Sequence, residues 1–168
     1  MKVIKLALIS FLVLFLLVTA ITFFIPSKIR ISRAVNIKAE SGTIIAQLND
    51  IRNWKNWYPG FDTLSLNKPL EEGGKVTFAE VRGSQIALIQ DSATHISATF
   101  NKPDAQKMNM GWQVISHEGS DLVTVQWYID FKLKWYPWEK FSSLSFEARY
   151  GSMLENGLAA LKNFLETK

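Results

Sequence analysis

The sequence predicts an α+β protein: an antiparallel sheet with one face covered by a long C-terminal helix, preceded by a single N-terminal transmembrane helix. Three observations carry this. Leu6 to Ile25 contains no charged side chain. Two later runs, Met108-Met110-Trp112-Val114 and Val123-Val125-Trp127-Ile129-Phe131-Leu133, alternate at strict period two. Leu154, Leu158, Leu161 and Leu165 then recur at helical spacing to the end of the chain. Alternation belongs to half-buried strands and three-to-four spacing to amphipathic helices, so the two stripes supply each other with a surface to bury.

The first element reads LALISFLVLFLLVTAITFFI, 20 residues from Leu6 to Ile25. At about 1.5 Å per residue such a helix spans roughly 30 Å, the hydrocarbon thickness of a bilayer. Residues 1–25 are therefore expected to form a transmembrane helix or uncleaved signal anchor, and residues 26–168 the folded domain. A cleaved secretory signal ending at Val18-Thr19-Ala20 is the alternative, and it would leave a greasy ITFFIP terminus on a soluble protein. Lys2 and Lys5 on one side face Lys28, Arg30 and Arg33 on the other, too even a balance to assign the membrane side.

Lys28 to Lys38 alternates, with Ile29, Ile31, Val35 and Ile37 on one face, and reads as the first strand. Ser41 is placed to cap a short helix carrying Ile44, Ile45, Leu48 and Ile51, and Tyr58-Pro59-Gly60 ends the helical region. Short strand-like runs follow: Leu64 and Leu66 before a turn at Pro69 to Gly74, Val76 with Phe78, Gln85 to Gln90, and Thr94 to Phe100. The two alternating runs form a long hairpin across Ser116-His117-Glu118-Gly119-Ser120. Pro137 suits the first turn of the terminal helix, whose apolar positions are expected at Phe141, Leu144, Ala148, Gly151, Leu154, Leu158, Leu161 and Leu165.

Composition narrows the function classes. Nineteen basic against 15 acidic residues leave +4, too weak a surplus for a dedicated nucleic-acid binder. With no cysteine, the chain has no disulfide, thiolate nucleophile, iron–sulfur cluster or cysteine zinc site. The two histidines, His95 and His117, fall beside a short strand and in the hairpin turn, where solvated side chains are expected. Nucleophile elbows, phosphate loops and paired metal histidines are missing, so no catalytic residue, metal or cofactor is expected.

The order of elements resembles the SRPBCC superfamily, also called START-like or polyketide-cyclase-like. The resemblance covers Ile29 to Ile37, the segment Asn49-Asp50-Ile51-Arg52-Asn53-Trp54-Lys55-Asn56-Trp57, the glycine-led Gly73-Gly74-Lys75-Val76-Thr77-Phe78, and Leu154 to Lys162. Bacterial members with an N-terminal membrane helix followed by Pro-Ser-Lys are especially similar, as at Pro26-Ser27-Lys28. Where such members have a proline before the first helix, this chain has Ala39-Glu40-Ser41-Gly42. The resemblance implies the helix-grip fold, a curved antiparallel sheet wrapped on the long C-terminal helix, with an apolar cavity between them for lipids or other hydrophobic ligands. It does not imply a reaction.

If the hairpin faces the terminal helix, Met108, Met110, Trp112, Val123, Val125, Trp127, Ile129 and Phe131 line the sheet side of that cavity. Leu154, Leu158 and Leu161 then lie opposite. Trp54 and Trp57 either guard its entrance or staple the short helix onto the sheet. Trp135-Tyr136-Pro137-Trp138 either rests on the membrane interface or plugs the cavity end. The leading expectation is a single-pass, membrane-anchored, non-catalytic domain holding a hydrophobic small molecule or lipid, with the bilayer as a partner. The alternatives are a cyclase-like or hydrolase-like enzyme on a hydrophobic or aromatic substrate, and a structural or regulatory membrane protein with no ligand.

Overall fold

The computed structural model describes residues 2–61, 65–103 and 107–167. The N-terminal helix α1 (Lys2–Thr22) projects from the domain, its apolar side chains exposed along almost its whole length and only Thr22 buried. After it come β1 (Lys28–Ile37), α2 (Ser41–Leu48), a 3-10 helix (Ile51–Asn56) and six further strands. These are β2 (Asn67–Glu72), β3 (Lys75–Val81), β4 (Ser84–Gln90), β5 (His95–Asn101), β6 (Met108–Ser116) and β7 (Val123–Lys132). The C-terminal helical region comprises α3 (Pro137–Ser142), one 3-10 turn at Ser143–Ser145, and α4 (Phe146–Glu166).

The seven strands form one antiparallel sheet in the order β1-β7-β6-β5-β4-β3-β2. Strands β2 to β7 run as a meander, and β1 closes the far edge by pairing with β7 over its full length, from Lys28↔Lys132 to Ile37↔Val123. The α2 and 3-10 segment carries the chain from one edge of the sheet to the other. In the β6/β7 hairpin Trp112 opposes Trp127 and Val114 opposes Val125, so the apolar faces of both strands point the same way. They point toward α4, where Leu154, Leu158, Leu161 and Leu165 are buried. The inward-facing Arg33 of β1 ties Glu147 and Glu155 of α4 to the sheet edge.

Three local expectations are corrected. Ser41 is the first residue of α2 rather than its cap: Glu40 holds the cap position without a side-chain bond, and the Ser41 hydroxyl instead meets Ser116 Oγ at 2.7 Å. Pro69 lies within β2 rather than in a turn. Its missing N–H is tolerated because β2 is an edge strand with an irregular register between Asn67 and Leu70, and the reversal falls at Gly73-Gly74. Leu64 lies outside the described residues. Third, the buried stripe of the terminal helix begins only at Gly151: Phe141 and Leu144 are exposed, because the 3-10 turn puts α3 out of phase with α4, and Ala148, in the first turn of α4, is exposed as well.

Candidate ligand-binding site

The interior between sheet and helix is built from aromatic rings. Trp112 and Trp127, cross-strand partners on β6 and β7, are both fully buried with ring centroids 5.4 Å apart. Trp54 meets Trp112 edge-on at 5.4 Å, and Trp57 meets Trp127 at 5.8 Å. Tyr58 stacks on Trp54 at 5.1 Å, and Phe61 and Phe100 close the outer end around the same indole. Offset and edge-on arrangements at these separations are the favourable ones for ring quadrupoles. From below, Gly157 brings α4 close: a Cβ there would collide with the six-membered ring of Trp127.

The four indoles differ in what their N–H groups find. Trp54 Nε1 donates to the Leu48 carbonyl at 3.0 Å, and Trp57 Nε1 to the Gln47 carbonyl at 3.2 Å. Both acceptors belong to the last turn of α2, whose carbonyls have no partner within the helix. Trp112 Nε1 and Trp127 Nε1 are buried and have no hydrogen-bond partner among the described residues. Burial alone pushes the Tyr58 hydroxyl far above the usual phenol range, so Tyr58 stays neutral.

Asp50 holds this assembly to the sheet. Its Oδ1 accepts from the backbone N–H of Arg52 at 3.0 Å and of Val76 in β3 at 3.3 Å, and its Oδ2 accepts from Arg52 Nη2 at 2.8 Å. Desolvation works to raise its pKa. The hydrogen bonds from Arg52 and from the two backbone N–H groups outweigh it and hold the carboxyl below the usual range.

The residues expected to line a cavity come together. Met110, Trp112, Val125, Trp127 and Ile129 are buried on the sheet, with Val123 and Phe131 slightly more open. Met108 is only partly buried, at the start of β6. Leu154, Leu158 and Leu161 face them from α4. The space among them is occupied by the aromatic rings. Larger grooves open away from it, one of about 430 Å³ against Asn49, Lys75, Leu88 and Ile96 and one of about 400 Å³ against Ile29 and Phe131, and two smaller ones lie at its outer end, on either side of Phe61. One, of about 190 Å³, is lined by Ile51, Arg52, Lys55, Phe61 and Leu66. The other, of about 230 Å³, lies against Gly60, Phe61, Val81, Ile86 and Phe100 among others. Tyr58, Phe61 and Phe100 were missed as members of the cluster, although Trp54, Trp57, Tyr58 and Phe61 repeat at helical spacing straight through Pro59-Gly60.

The titratable groups gather on the opposite, outer face of the sheet. His95 is not simply solvated: its Nδ1 lies 3.0 Å from Asp91 Oδ2 and its Nε2 is hydrogen-bonded to the Tyr128 hydroxyl at 2.7 Å. The Tyr128 ring lies over Gly111, its partner on β6, where any Cβ would strike the phenol. Arg30 covers the other side of that ring at 4.1 Å while paired with Asp130 at 2.7 Å. Burial pushes the Tyr128 hydroxyl up, which disfavours a phenolate nucleophile. His117 shares a 2.9 Å bond with Thr124 on the exposed hairpin end, and Tyr150 packs on Phe131 and Phe146. Among the described residues no group of three metal-ligating side chains converges.

No protein-family model matches the chain, and no curated protein does. Solved structures do. A START superfamily protein from Mycobacterium smegmatis superimposes with a TM-score of 0.59 at 16% identity, covering 82% of this chain and 97% of that one. The chain has the helix-grip fold of the START superfamily. A Thermobifida fusca protein matches with a TM-score of 0.58 at 16% identity over 80% of this chain and 91% of its own. CalU16 from Micromonospora echinospora matches at 0.56 and 14% over 80% and 73%. At such identities the likeness concerns the START-like fold, and site chemistry has to be argued from this chain's own residues.

Proposed function

We propose that this protein is a membrane-anchored, non-catalytic START-like domain that binds a hydrophobic small molecule or lipid between the sheet and α4. Residues 1–25 form the anchor and residues 26–168 the binding domain. The observation that carries this reading is the pair of unpartnered indole N–H groups of Trp112 and Trp127 at the centre of an apolar interior. Each unpaired buried N–H costs about 1–3 kcal/mol, and a guest presenting a carbonyl, carboxylate or hydroxyl oxygen to the two indoles recovers that cost. Phe61 is the ring to be displaced on entry. It sits on the turn after Gly60 rather than on the sheet, with a groove on either side.

The reading is tested by native mass spectrometry of the detergent-extracted protein, with lipid extraction of the bound fraction. A hydrophobic, oxygen-bearing species is expected, with weaker retention in the W112F/W127F variant. A reproducibly empty protein that takes up no fluorescent fatty acid overturns it. One observation favours a second reading, a packed membrane-tethered domain with no guest: rings already occupy the interior, and Gly157 lets α4 close directly on Trp127. The same empty result would support that alternative. An enzyme of the cyclase or hydrolase kind draws less support, because His95, Asp91 and Tyr128 lie across the sheet from the aromatic cluster.

A further inference from the structure

The segment from Trp135 to Leu144 is amphipathic in the wrong sense for a water-facing surface. Trp135, Trp138, Phe141 and Leu144, every third residue, are 67%, 65%, 40% and 69% exposed. Between them Pro137, Lys140 and Ser143 are buried. The polar stripe is held inward by specific bonds. Lys140 Nζ donates to the Ile25 carbonyl and, at 3.0 Å, to Ser27 Oγ, and the Ser143 hydroxyl bonds back to the Lys140 carbonyl. A lysine and a serine therefore occupy the interior while two tryptophans, a phenylalanine and a leucine face out, a contiguous apolar patch that a monomeric water-soluble domain rarely presents.

The position of this patch says what covers it. Lys140 grips the chain between α1 and β1, α3 packs beside the end of α1, and the Leu133 N–H donates to the Ser27 carbonyl at 2.8 Å. The exposed stripe thus lies where the apolar helix leaves the domain, next to Phe23 and Phe24, which are 81% and 89% exposed. Exposed lysines at Lys28 and Lys134 flank it, and Lys134 approaches the Tyr136 ring at 6.0 Å. Indole rings beside an apolar stripe, bordered by cations, fit the boundary between acyl chains and anionic headgroups.

We infer that Trp135, Trp138, Phe141 and Leu144 insert into the headgroup boundary of the bilayer that α1 crosses. The domain is then held flat against the membrane at a second point instead of swinging on its linker. This rests on the reading of α1 as a membrane anchor, not on the presence of a ligand in the interior.

The tryptophans make the test direct. Trp54, Trp57, Trp112 and Trp127 are buried, so Trp135 and Trp138 are the two exposed to an external quencher. The full chain is reconstituted into phosphatidylcholine–phosphatidylglycerol vesicles containing a lipid with a nitroxide quencher near the carbonyl level, and flotation is measured alongside fluorescence. The expected result is flotation with strong quenching of the wild type. Most of that quenching is lost in W135F/W138F, and the residual Trp135 quenching is at least halved in W138E/F141E. Near-ultraviolet circular dichroism of the four buried indoles confirms that the variants fold. Flotation with quenching no greater than in W135F/W138F overturns the docking and leaves the anchor standing. An unquenched, blue-shifted difference emission (wild type minus W135F/W138F) overturns it in favour of cover by a second copy of the chain. Failure to float overturns the anchor and the docking together.

Discussion

Two tryptophan pairs sit within 6.2 Å of one another and are buried to the same degree, yet they do different work. Trp54 lies in a short 3-10 helix and Trp57 is the residue that caps its C-terminal end, and each gives its N–H to a carbonyl in the last turn of α2. Trp112 and Trp127 face each other across the unbroken β6/β7 ladder, and neither N–H has a partner among the described residues. A strand directs its side chains perpendicular to the sheet, into a region of other side chains where backbone acceptors are already committed to the ladder. The first pair ties its own segment to α2. On the ligand-binding reading proposed above, the sheet pair is the one whose hydrogen-bonding capacity a guest would use.

The contrast can be broken most forcefully by removing the fastening. Trp54→Ala should cost about 3–5 kcal/mol in urea unfolding, from lost ring contacts alone, with the Leu48 carbonyl left unpaired besides. Leu158→Ala, at a 2% exposed position under the sheet pair, should cost about 2–5 kcal/mol if the interior is as closely packed as the ring distances imply. A much smaller loss would mean that the region yields readily, which favours an adaptable binding interior.

A finer comparison uses phenylalanine. Trp54→Phe strands a carbonyl, whereas Trp112→Phe removes a polar group that had no partner. Beyond the shared loss of ring volume, the first should be about 1–3 kcal/mol the more destabilising in ligand-free protein. Equal losses would sink the distinction between the pairs.

The smallest effect is the pH response of Asp50, which positions the fastening. Its folded pKa lies below the unfolded value, so its contribution is fully present above the ordinary aspartate pKa of about 3.9. It is lost as the pH falls from there through the folded value, because the unfolded chain takes up the proton first. Asp50→Asn should lower stability near neutrality and flatten that acid limb, which urea titrations at a series of pH values would register.

Much of the fold was legible in residues read one stretch at a time. The alternation through Met110, Trp112, Val125 and Trp127 settled which face of the hairpin turns inward, because neighbouring side chains on a strand must point to opposite sides. The spacing of Leu154, Leu158 and Leu161 did the same for α4. The reading went astray where one pattern was carried across a break. Phe141 and Leu144 continued the helical count, but the 3-10 turn at Ser143–Ser145 shifts the phase and turns them outward. Phe61 was overlooked for the opposite reason, since the helix stops at Asn56 and Pro59-Gly60 follows, yet the apolar repeat runs on.

By itself, the order of the amino acids determined the apolar N-terminal helix, the antiparallel hairpin and the stripe that covers it, all of which follow from charge and periodicity over a few consecutive turns. Only the tertiary structure decided which indoles find acceptors, that Tyr128 lies over Gly111, and that Lys140 turns inward to a carbonyl 115 residues earlier in the chain. Those outcomes depend on which backbone groups remain unpaired after the strands and helices have formed, and no local pattern records that.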